Sequence, residues 1–266
     1  MIPYAFDYHR ASSLADAEAR LKDSPDAKLL AGGQTLIAAM KMRLAQPSEL
    51  IDISGLKDLS FVRQDAHSVS IGAATKHYEV GSSSIVEKAI PALAQLAGSI
   101  GDPAVRHMGT LGGSLANNDP AADYPAAVLA LNATVCTRRR RISADEFFTG
   151  MFSTALGPDE IITEVSFPIP ERAGYAKFPN PASRYAMVGV FVAKAAEGVR
   201  VAVTGAGPCV FRAPEMELAL ASRFAPDAVA SSTVDPAGLN SDIHGSAEYR
   251  ANLVTVMAKQ AVASAR

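Results

Sequence analysis

The sequence predicts an α+β fold, in which a small α/β unit is followed by short strands and helices and then by an antiparallel sheet. In residues 1–56, short apolar runs alternate with amphipathic helical patterns. Beyond this unit the apolar runs shorten and polar turns separate them, which is typical of β-structure. Near the C-terminus, the β-branched runs 188–195 and 199–205 flank Glu197-Gly198, a hairpin signal.

A cluster of residues that interrupt regular structure predicts the main domain boundary. Pro168, Pro170 and Gly174 follow an apolar run. A chain of 266 residues, of which 48% are hydrophobic, is long enough to form two compact cores. We therefore predict a first domain over residues 1–174, with subdomains over about 1–56 and 57–174, and a second domain over residues 175–266.

In the first subdomain the predicted order is strand, helix, strand, helix, strand. Ser12 or Ser13 is expected to cap the first helix, because a serine hydroxyl accepts a hydrogen bond from a free N–H group of the first turn. Pro47 is expected to end the second helix near Gln46, since the residue before a proline avoids helical geometry. The predicted strands are 4–9, 29–31 and 50–53, and the predicted helices are 12–21 and 36–46.

The second subdomain is predicted to carry a long helix before its main loop and a strand at its end. Apolar residues at helical spacing predict one helix over residues 87–100. The other predictions here are a helical segment from Thr75, a helix over 125–131, a hairpin over 134–137 and 141–143, and a strand over 161–167. The second domain is predicted as a three-stranded antiparallel sheet, 188–195, 199–205 and 209–213, under helices 215–223 and 248–262.

The strongest functional signal is the stretch TLGGSLANNDPAAD, residues 110–123. Gly112 and Gly113 lack Cβ atoms, so we expect positive φ angles there and peptide N–H groups turned towards an anion, most readily a diphosphate. A pair of asparagines adds amide donors and acceptors, and Asp123 suits ribose or ribitol hydroxyls. The alternative is a structural Gly-Gly turn followed by an Asx-Pro turn. We call residues 110–114 the second glycine loop.

The first glycine loop, AGGQT at residues 31–35, has the strand, glycine turn, helix layout of phosphate-binding loops. It matches neither GxGxxG nor GxxxxGK[ST], which disfavours the usual dinucleotide and P-loop folds. A single Gly-Gly pair between a strand and a helix is common. Two such loops, however, are able to hold one extended diphosphate from two sides.

Composition and termini narrow the class of protein. A net charge of −2 gives no electrostatic footprint for nucleic acid, and four consecutive arginines, residues 138–141, indicate a solvated turn or a docking patch. We find no signal peptide and no long apolar run, so we expect a cytoplasmic protein, at most peripheral at the inner membrane face through partners, without direct membrane insertion. Cys136 and Cys209 lack metal-ligand spacing, so we expect neither zinc nor an iron–sulfur cluster in this chain.

Several long segments resemble the FAD-binding medium subunit of the molybdenum hydroxylases, the group that includes aerobic carbon monoxide dehydrogenase and xanthine dehydrogenase. The segments are AGGQTLIAAMKMRLAQPSELIDI, IGDPAVRHMGTLGGSLANNDPAADYPA, GMFSTALGPDEIITEVSFPIP and NSDIHGSAEYRANLVTVMAKQAV. The resemblance runs the length of the chain. It implies a two-subdomain FAD-binding domain of the PCMH or vanillyl-alcohol-oxidase type, followed by a C-terminal α+β domain like that of carbon monoxide dehydrogenase flavoproteins.

The resemblance also implies the cofactor-binding residues. Both glycine loops are expected to contact the diphosphate, and Lys177 and Tyr185 to lie near the flavin ring. Ile100 stands where aromatic members stack a ring on the flavin, and Ile162 is a flavin contact, an ordinary core residue, or both. No catalytic or metal-binding residue is expected. The expected FAD-binding residues are Leu29, Leu30, Ala31, Gly32, Gly33, Gln34, Thr35, Leu36, Ile100, Thr110, Leu111, Gly112, Gly113, Ser114, Asn117, Asp123, Ile162, Lys177 and Tyr185.

By the same resemblance, FAD in this chain passes electrons from the [2Fe–2S] clusters of a small subunit to a terminal acceptor, while a large subunit holds the molybdenum cofactor. A dimer of heterotrimers is implied. The substrate stays open among carbon monoxide, purines, aldehydes and N-heterocycles. Two alternatives also stay open: a free-standing flavin oxidoreductase, and a nucleotide-binding assembly module without a redox role. His77 and His107 lie near the predicted site and are expected to be structural.

Overall fold

The computed structural model describes residues 2–266, so Met1, the first residue of the predicted first domain, lies outside the described residues. The N-terminal unit is a parallel three-stranded sheet with the order β1-β3-β2. The hydroxyl of Ser13 accepts a hydrogen bond from the backbone N–H of Asp16, which confirms one of the two predicted caps. The elements are β1 (Asp7–Arg10), α1 (Leu14–Asp23), β2 (Lys28–Leu30), α2 (Leu36–Lys41) and β3 (Glu49–Asp52).

The second helix is shorter than predicted. It ends at Lys41 rather than near Gln46. Arg43 adopts a left-handed conformation with φ 59°, which a right-handed helix cannot continue through. The proline at position 47 therefore lies beyond a helix that has already ended.

The middle unit is an antiparallel five-stranded sheet with the order β4-β5-β10-β6-β7, covered by short helices. The single helix predicted over residues 87–100 is two helices, because Pro91 lacks an N–H group and starts a new helix instead of continuing the old one. The elements are β4 (Val62–Gln64), β5 (Ser68–Gly72), α3 (His77–Gly81), α4 (Ser84–Ala89), α5 (Pro91–Gly98), α6 (Pro103–Arg106), α7 (Leu111–Asn117), α8 (Tyr124–Ala130), β6 (Thr134–Thr137), β7 (Arg141–Ser143), α9 (Ala144–Phe147), β8 (Phe148–Gly150), β9 (Ser153–Thr154) and β10 (Ile162–Pro168).

The C-terminal sheet has four strands in the order β11-β12-β13-β14, so the predicted count of three is wrong. The missing strand is β11, which pairs with β12 along its whole length. The predicted boundary at residue 174 falls inside β11, and the division of the chain into domains stays a prediction. The elements are β11 (Arg172–Pro179), β12 (Ala186–Ala195), β13 (Gly198–Thr204), β14 (Phe211–Arg212), α10 (Pro214–Ser222) and α11 (Ala247–Ser264).

Strand β12 separates two hydrophobic cores. Phe191 and Ala193 face the core shared with the middle unit, whereas Val190 and Val192 face the core under α10 and α11. Side chains alternate across a strand with a period of two, so one strand contributes to both cores. This explains why residues 186–193 are buried without interruption. The C-terminal sheet is consequently a layer between the middle unit and its own helices, α10 and α11.

The arginine run lies at the exposed turn of the β6–β7 hairpin, in agreement with the solvated turn that the sequence predicts as one alternative. Each of three consecutive arginines forms a salt bridge with an acid from another segment, at 2.6 to 2.8 Å. Only Glu160 among the three acids is deeply buried, with 3% of its side chain exposed. The pairs join the β6–β7 hairpin to α1 and to the segment before β10, and they are Arg138–Glu18, Arg139–Asp159 and Arg140–Glu160.

In the part of the chain from residue 2 to residue 266, no helix combines the length and the apolar character needed to span a bilayer.

Gly174→Ala is expected to destabilise the protein. A Cβ atom at this position would overlap the carbonyl oxygen of Ala261 in α11, so the helix would have to move off the sheet. Overpacking of this kind costs about 1–3 kcal/mol. The matched control is Gly98→Ala in α5, where a Cβ meets nothing within 4 Å and alanine is the better helix former by up to about 1 kcal/mol. Urea unfolding of both variants tests the difference. A Gly174→Ala protein as stable as wild type would contradict this packing.

Candidate functional site

A cavity of about 700 Å³ lies where the three units meet. Its walls come from the first glycine loop, the second glycine loop with α7, the start of β10 and the turn before β12. Ligand and cofactor pockets typically enclose about 300–1,000 Å³. The cavity is therefore large enough for an extended cofactor that touches both glycine loops.

The first glycine loop packs at Gly32 against the two residues that precede the second glycine loop. A Cβ atom on Gly32 would overlap the carbonyl oxygen of Met108 and would stand 2.7 Å from the Cα atom of Gly109. Gly33 has a different requirement, because its φ of 68° is left-handed and disfavours any residue with a Cβ atom. One glycine of the pair thus permits a close approach, and the other permits the turn.

The second glycine loop does not have the predicted conformation. Gly112 and Gly113 lie in the first turn of the right-handed helix α7, so the expected positive φ angles are wrong. Gly112 is needed for packing, since its Cβ would stand 2.6 Å from the Cβ of Ala73. Gly113 faces open space apart from the hydroxyl of Thr110, the N-cap of the helix.

The backbone N–H groups of the two loops are used differently. In the second glycine loop they already donate within the protein: Leu111 to Thr75, Gly112 to Ala73, Gly113 to the Thr110 hydroxyl and Ser114 to the Thr110 carbonyl. In the first glycine loop, no hydrogen bond to an acceptor among residues 2–266 is made by the N–H groups of Gly32, Gly33 and Gln34. The first loop therefore has unpaired N–H donors at the cavity wall, and the second loop does not.

Asp123 is a buried carboxylate at the end of the loop that follows α7. Its Oδ1 atom accepts a hydrogen bond from the Tyr175 hydroxyl at 2.6 Å and lies 2.8 Å from the Nζ atom of Lys177. Burial raises the pKa of Asp123, and the ammonium group of Lys177 opposes that rise. Lys177 also donates to the carbonyl of Ser99. Asp123 thus lines the cavity while being fixed by two side chains of β11.

Residues 4–170 match the model of the family described as the FAD binding domain in molybdopterin dehydrogenase. The chain belongs to this family. It is 38% identical to the nicotine 6-hydroxylase medium subunit of Paenarthrobacter nicotinovorans, over 98% of this chain and 97% of the relative. It is 34% identical to the glyceraldehyde dehydrogenase medium chain of Sulfolobus acidocaldarius, over 98% of both chains.

Among solved structures, a chain of the carbon monoxide dehydrogenase of Hydrogenophaga pseudoflava superimposes with a TM-score of 0.90 at 35% identity. The match covers 99% of this chain and 98% of that chain. The predicted family, α+β fold, oxidoreductase class and FAD cofactor are confirmed. As a member of the molybdopterin dehydrogenase FAD-binding family, the chain is an oxidoreductase subunit.

Most of the predicted FAD-binding residues lie on the cavity wall, and their contacts with FAD stay a prediction. Three of them do not lie there. Leu30 packs beneath the turn at Gly33, Leu111 is fully buried in the core, and Lys177 faces a neighbouring cleft. Those on the wall are Leu29, Ala31, Gly32, Gly33, Gln34, Thr35, Leu36, Ile100, Thr110, Gly112, Gly113, Ser114, Asn117, Asp123, Ile162 and Tyr185.

The two neighbouring asparagines after the second glycine loop have separate roles. Asn117 lies on the cavity wall. Asn118 is buried with φ 42°, and its amide donates to the carbonyls of Gly150 and Ser153 at 2.8 and 2.7 Å. Asn118 therefore ends α7 and holds the β8–β9 hairpin.

The segment before β10 forms a wall of the cavity that the sequence did not predict. The carboxylate of Glu160 accepts hydrogen bonds from the Thr137 hydroxyl, the Gly157 N–H and the Arg140 guanidinium. The Arg140 pair lowers the pKa of Glu160 to about 2, so this acid is ionised at neutral pH. The arginine run was the available signal, since a buried acid needs such a partner. The wall residues of this segment are Leu156, Gly157, Pro158, Glu160 and Ile161.

His77 also lies on the cavity wall, although we expected it only to be structural. Its Nε2 atom would stand 2.5 Å from a Cβ on Gly109, so the ring occupies the space that this glycine leaves. Burial, with a smaller effect of Arg106, lowers the pKa of His77 to about 4. Its Nδ1 atom and the nearby Tyr124 hydroxyl are buried without a hydrogen-bond partner among residues 2–266. The neutral ring thus contributes an uncharged polar surface to the wall.

Gly113→Val is expected to weaken FAD binding at least about tenfold, because the new side chain is added at the cavity wall. Its Cβ would stand 2.9 Å from the hydroxyl of Thr110, the end of a side chain that is able to shift, so the loss of stability should be smaller than for Gly112→Val. Gly112→Val is the matched comparison, and its Cβ would collide with Ala73. Gly112→Val should therefore lower the midpoint temperature of thermal unfolding. Fluorescence titration of the apoprotein with FAD, together with thermal unfolding, separates the two effects. Wild-type affinity in Gly113→Val would contradict a cofactor beside α7.

The low pKa of His77 predicts a loss of stability on acidification. The unfolded chain takes up a proton near pH 6.5 and the folded chain only near pH 4, so the unfolded state binds more protons between these values. The free energy of unfolding should therefore fall as the pH is lowered from about 6.5 to 4, by about 3 kcal/mol in total. His77→Gln, which does not titrate, should lose this part of the pH dependence. Identical pH profiles of denaturant unfolding for both proteins would refute a buried neutral histidine.

Proposed function

We propose that this chain is the FAD-binding electron-transfer subunit of a heteromeric molybdenum hydroxylase. In this role the chain would hold FAD, which would supply the redox chemistry that links the [2Fe–2S] clusters of a partner subunit to a terminal acceptor. The observation that carries the proposal is the single cavity in which the first glycine loop presents unpaired N–H groups against the second glycine loop. Unpaired N–H groups on a strand-to-helix turn suit a diphosphate.

We assign different parts of FAD to different residues of the cavity wall. We propose that the diphosphate binds at the N–H groups of Gly32, Gly33 and Gln34, because the N–H groups of the second loop already donate hydrogen bonds within the protein. The second loop then supplies a close-fitting surface and the amide of Asn117. When bound, FAD supplies one- and two-electron redox chemistry that amino-acid side chains lack.

The flavin end of the cavity is the region between β10 and the turn before β12. Ile100 and Ile162 supply apolar surface there, and Tyr185 approaches from the C-terminal sheet. Burial and the neighbouring Asp119 raise the pKa of Tyr185, so its phenol stays protonated at neutral pH and is able to donate a hydrogen bond. These side chains position the flavin ring and exclude water from it. Asp123 lies on the same wall, where we propose that it contacts the sugar chain of FAD.

The relatives support a partner-dependent role. They are named as medium subunits or chains of a nicotine hydroxylase and a glyceraldehyde dehydrogenase, and a similar chain occurs in a carbon monoxide dehydrogenase. Since these names differ in substrate while the chains are similar over their length, we propose that the substrate is selected by a large molybdenum subunit. We further propose a small [2Fe–2S] subunit, a dimer of heterotrimers and a cytoplasmic location.

Titration of the apoprotein should show FAD binding at least about tenfold tighter than FMN, because FMN lacks the second phosphate and the adenosine that the first glycine loop is proposed to hold. Fluorescence quenching measures both affinities. Equal affinity for FMN would contradict the assignment of the loop to a diphosphate.

Purification of the chain from its natural host tests the partners separately. We expect iron and molybdenum to co-purify with it in two further subunits. A flavin-loaded chain that purifies alone and oxidises a substrate would instead support a free-standing oxidoreductase. A chain without flavin in either preparation would support an assembly module.

A further inference from the structure

A second cleft, of about 740 Å³, lies on the other side of the segment that carries Gly101. We call it the arginine cleft, and it is lined by Arg106, Arg184, Lys177, Asn180, Gln95 and Gln260 among others. It shares Gly101 and Arg184 with the wall of the proposed FAD cavity. A molecule in the arginine cleft would therefore bind next to the flavin end of that cavity.

The arginine cleft holds two guanidinium groups side by side. The Nη1 atom of Arg106 donates to the carbonyls of Ile100 and Gly101, at 2.9 and 3.2 Å, and Nη1 of Arg184 lies 3.5 Å from the same carbonyl of Gly101. Two like charges that share one carbonyl oxygen repel each other. An anion between or beside them would remove this repulsion.

The positive charge of these two arginines is not neutralised within residues 2–266. Neither Arg106 nor Arg184 lies in any salt bridge there, and no acidic residue lines the cleft. Asp102 is close in sequence, but it caps α6 by accepting from the N–H of Val105 and does not line the cleft. Lys177 differs, since its charge is paired with Asp123. Two of the three cations are thus available to a ligand.

The backbone also holds Arg184 in an unfavourable conformation. Its φ of 62° is left-handed, which is uncommon for a residue with a long side chain. The side-chain oxygen of Asn180 maintains the turn by accepting from the N–H groups of Ala182 and Ser183. Such conformations concentrate at ligand-binding positions. Here the turn keeps the guanidinium at the junction of the cavity and the cleft.

We propose that Arg106 and Arg184 bind the phosphate groups of a small soluble molecule, of the nucleotide class, in the arginine cleft. Guanidinium groups are well suited to phosphate, because their N–H groups match pairs of phosphate oxygens. The amides of Asn180, Gln95 and Gln260 supply hydrogen-bond partners for the sugar of such a ligand. Binding at these arginines needs no flavin, whereas a role of the bound molecule as terminal electron acceptor rests on the proposed function.

Calorimetric titration of the full-length protein, both FAD-loaded and FAD-free, with inorganic pyrophosphate, ADP and adenosine tests the site. We expect pyrophosphate and ADP to bind and adenosine not to bind. Arg106→Gln should weaken pyrophosphate binding about tenfold to a hundredfold, because it removes a charge-assisted contact. FAD content should be retained, since Arg106 does not line the FAD cavity. Arg63→Gln is the matched control, an exposed arginine stacked on Phe61 in another part of the molecule.

Arg184→Gln is a second variant, which keeps the test valid if Arg106→Gln fails to fold. Its guanidinium makes only one long contact at 3.5 Å, so its removal should cost little stability, and the same loss of pyrophosphate affinity is expected. Unchanged binding in both variants would overturn the proposal. So would loss of pyrophosphate binding on loading with FAD, because the arginines would then belong to the FAD site. A chain that binds pyrophosphate through both arginines but takes up no FAD would uphold the arginine cleft and reject the proposed function.

Discussion

The buried carboxylate of Asp123 is the constraint on which the assembly of the cavity depends. An ionised group without a partner in the interior costs several kcal/mol, so Asp123 is tolerated only where β11 brings Tyr175 and Lys177 to it. The backbone carbonyls of the segment around it accept hydrogen bonds from the same sheet. Gly205 donates to the carbonyl of Pro120, and the Thr204 hydroxyl donates to the carbonyl of Ala122. The wall after α7 is therefore positioned by the C-terminal sheet as much as by its own unit.

The glycine pairs of the two loops look alike in sequence and act through different physical effects. In the first loop, Gly33 permits a left-handed turn, and the neighbouring N–H groups stay unpaired. In the second loop, Gly112 lets α7 approach Ala73, and the N–H groups at the start of the helix already donate hydrogen bonds within the protein. A glycine pair in sequence does not distinguish a φ requirement from a steric one. The φ angle of each glycine and the atoms that a Cβ would meet reveal which requirement applies.

Much of the fold follows from local signals, and what was missed depends on distant contacts. The Ser13 cap and the β12–β13 hairpin are determined by neighbouring residues, so a sequence pattern is sufficient to predict them. Strand β11 contains Gly174 and Lys177 and has no clear alternation, and it is formed by pairing with β12 and by burial of Tyr175. The motifs located the two loops of the candidate site. The position of His77 on the wall depends instead on the space left by Gly109, which no spacing along the chain encodes.

The segment from Ser99 to Gly101 separates the cavity from the arginine cleft. Acidic side chains line only the cavity, where Asp123 is paired with Lys177, whereas no acid among residues 2–266 neutralises Arg106 and Arg184 in the cleft. Lys177 spans this boundary, because its ammonium group pairs with Asp123 and also donates to the carbonyl of Ser99. If substrate selection belongs to a partner, the remaining specificity of this chain concerns its cofactor and the molecule that meets the cofactor. The cofactor and that molecule would then bind on the two sides of one short segment, and a change in its backbone would alter both binding sites at once.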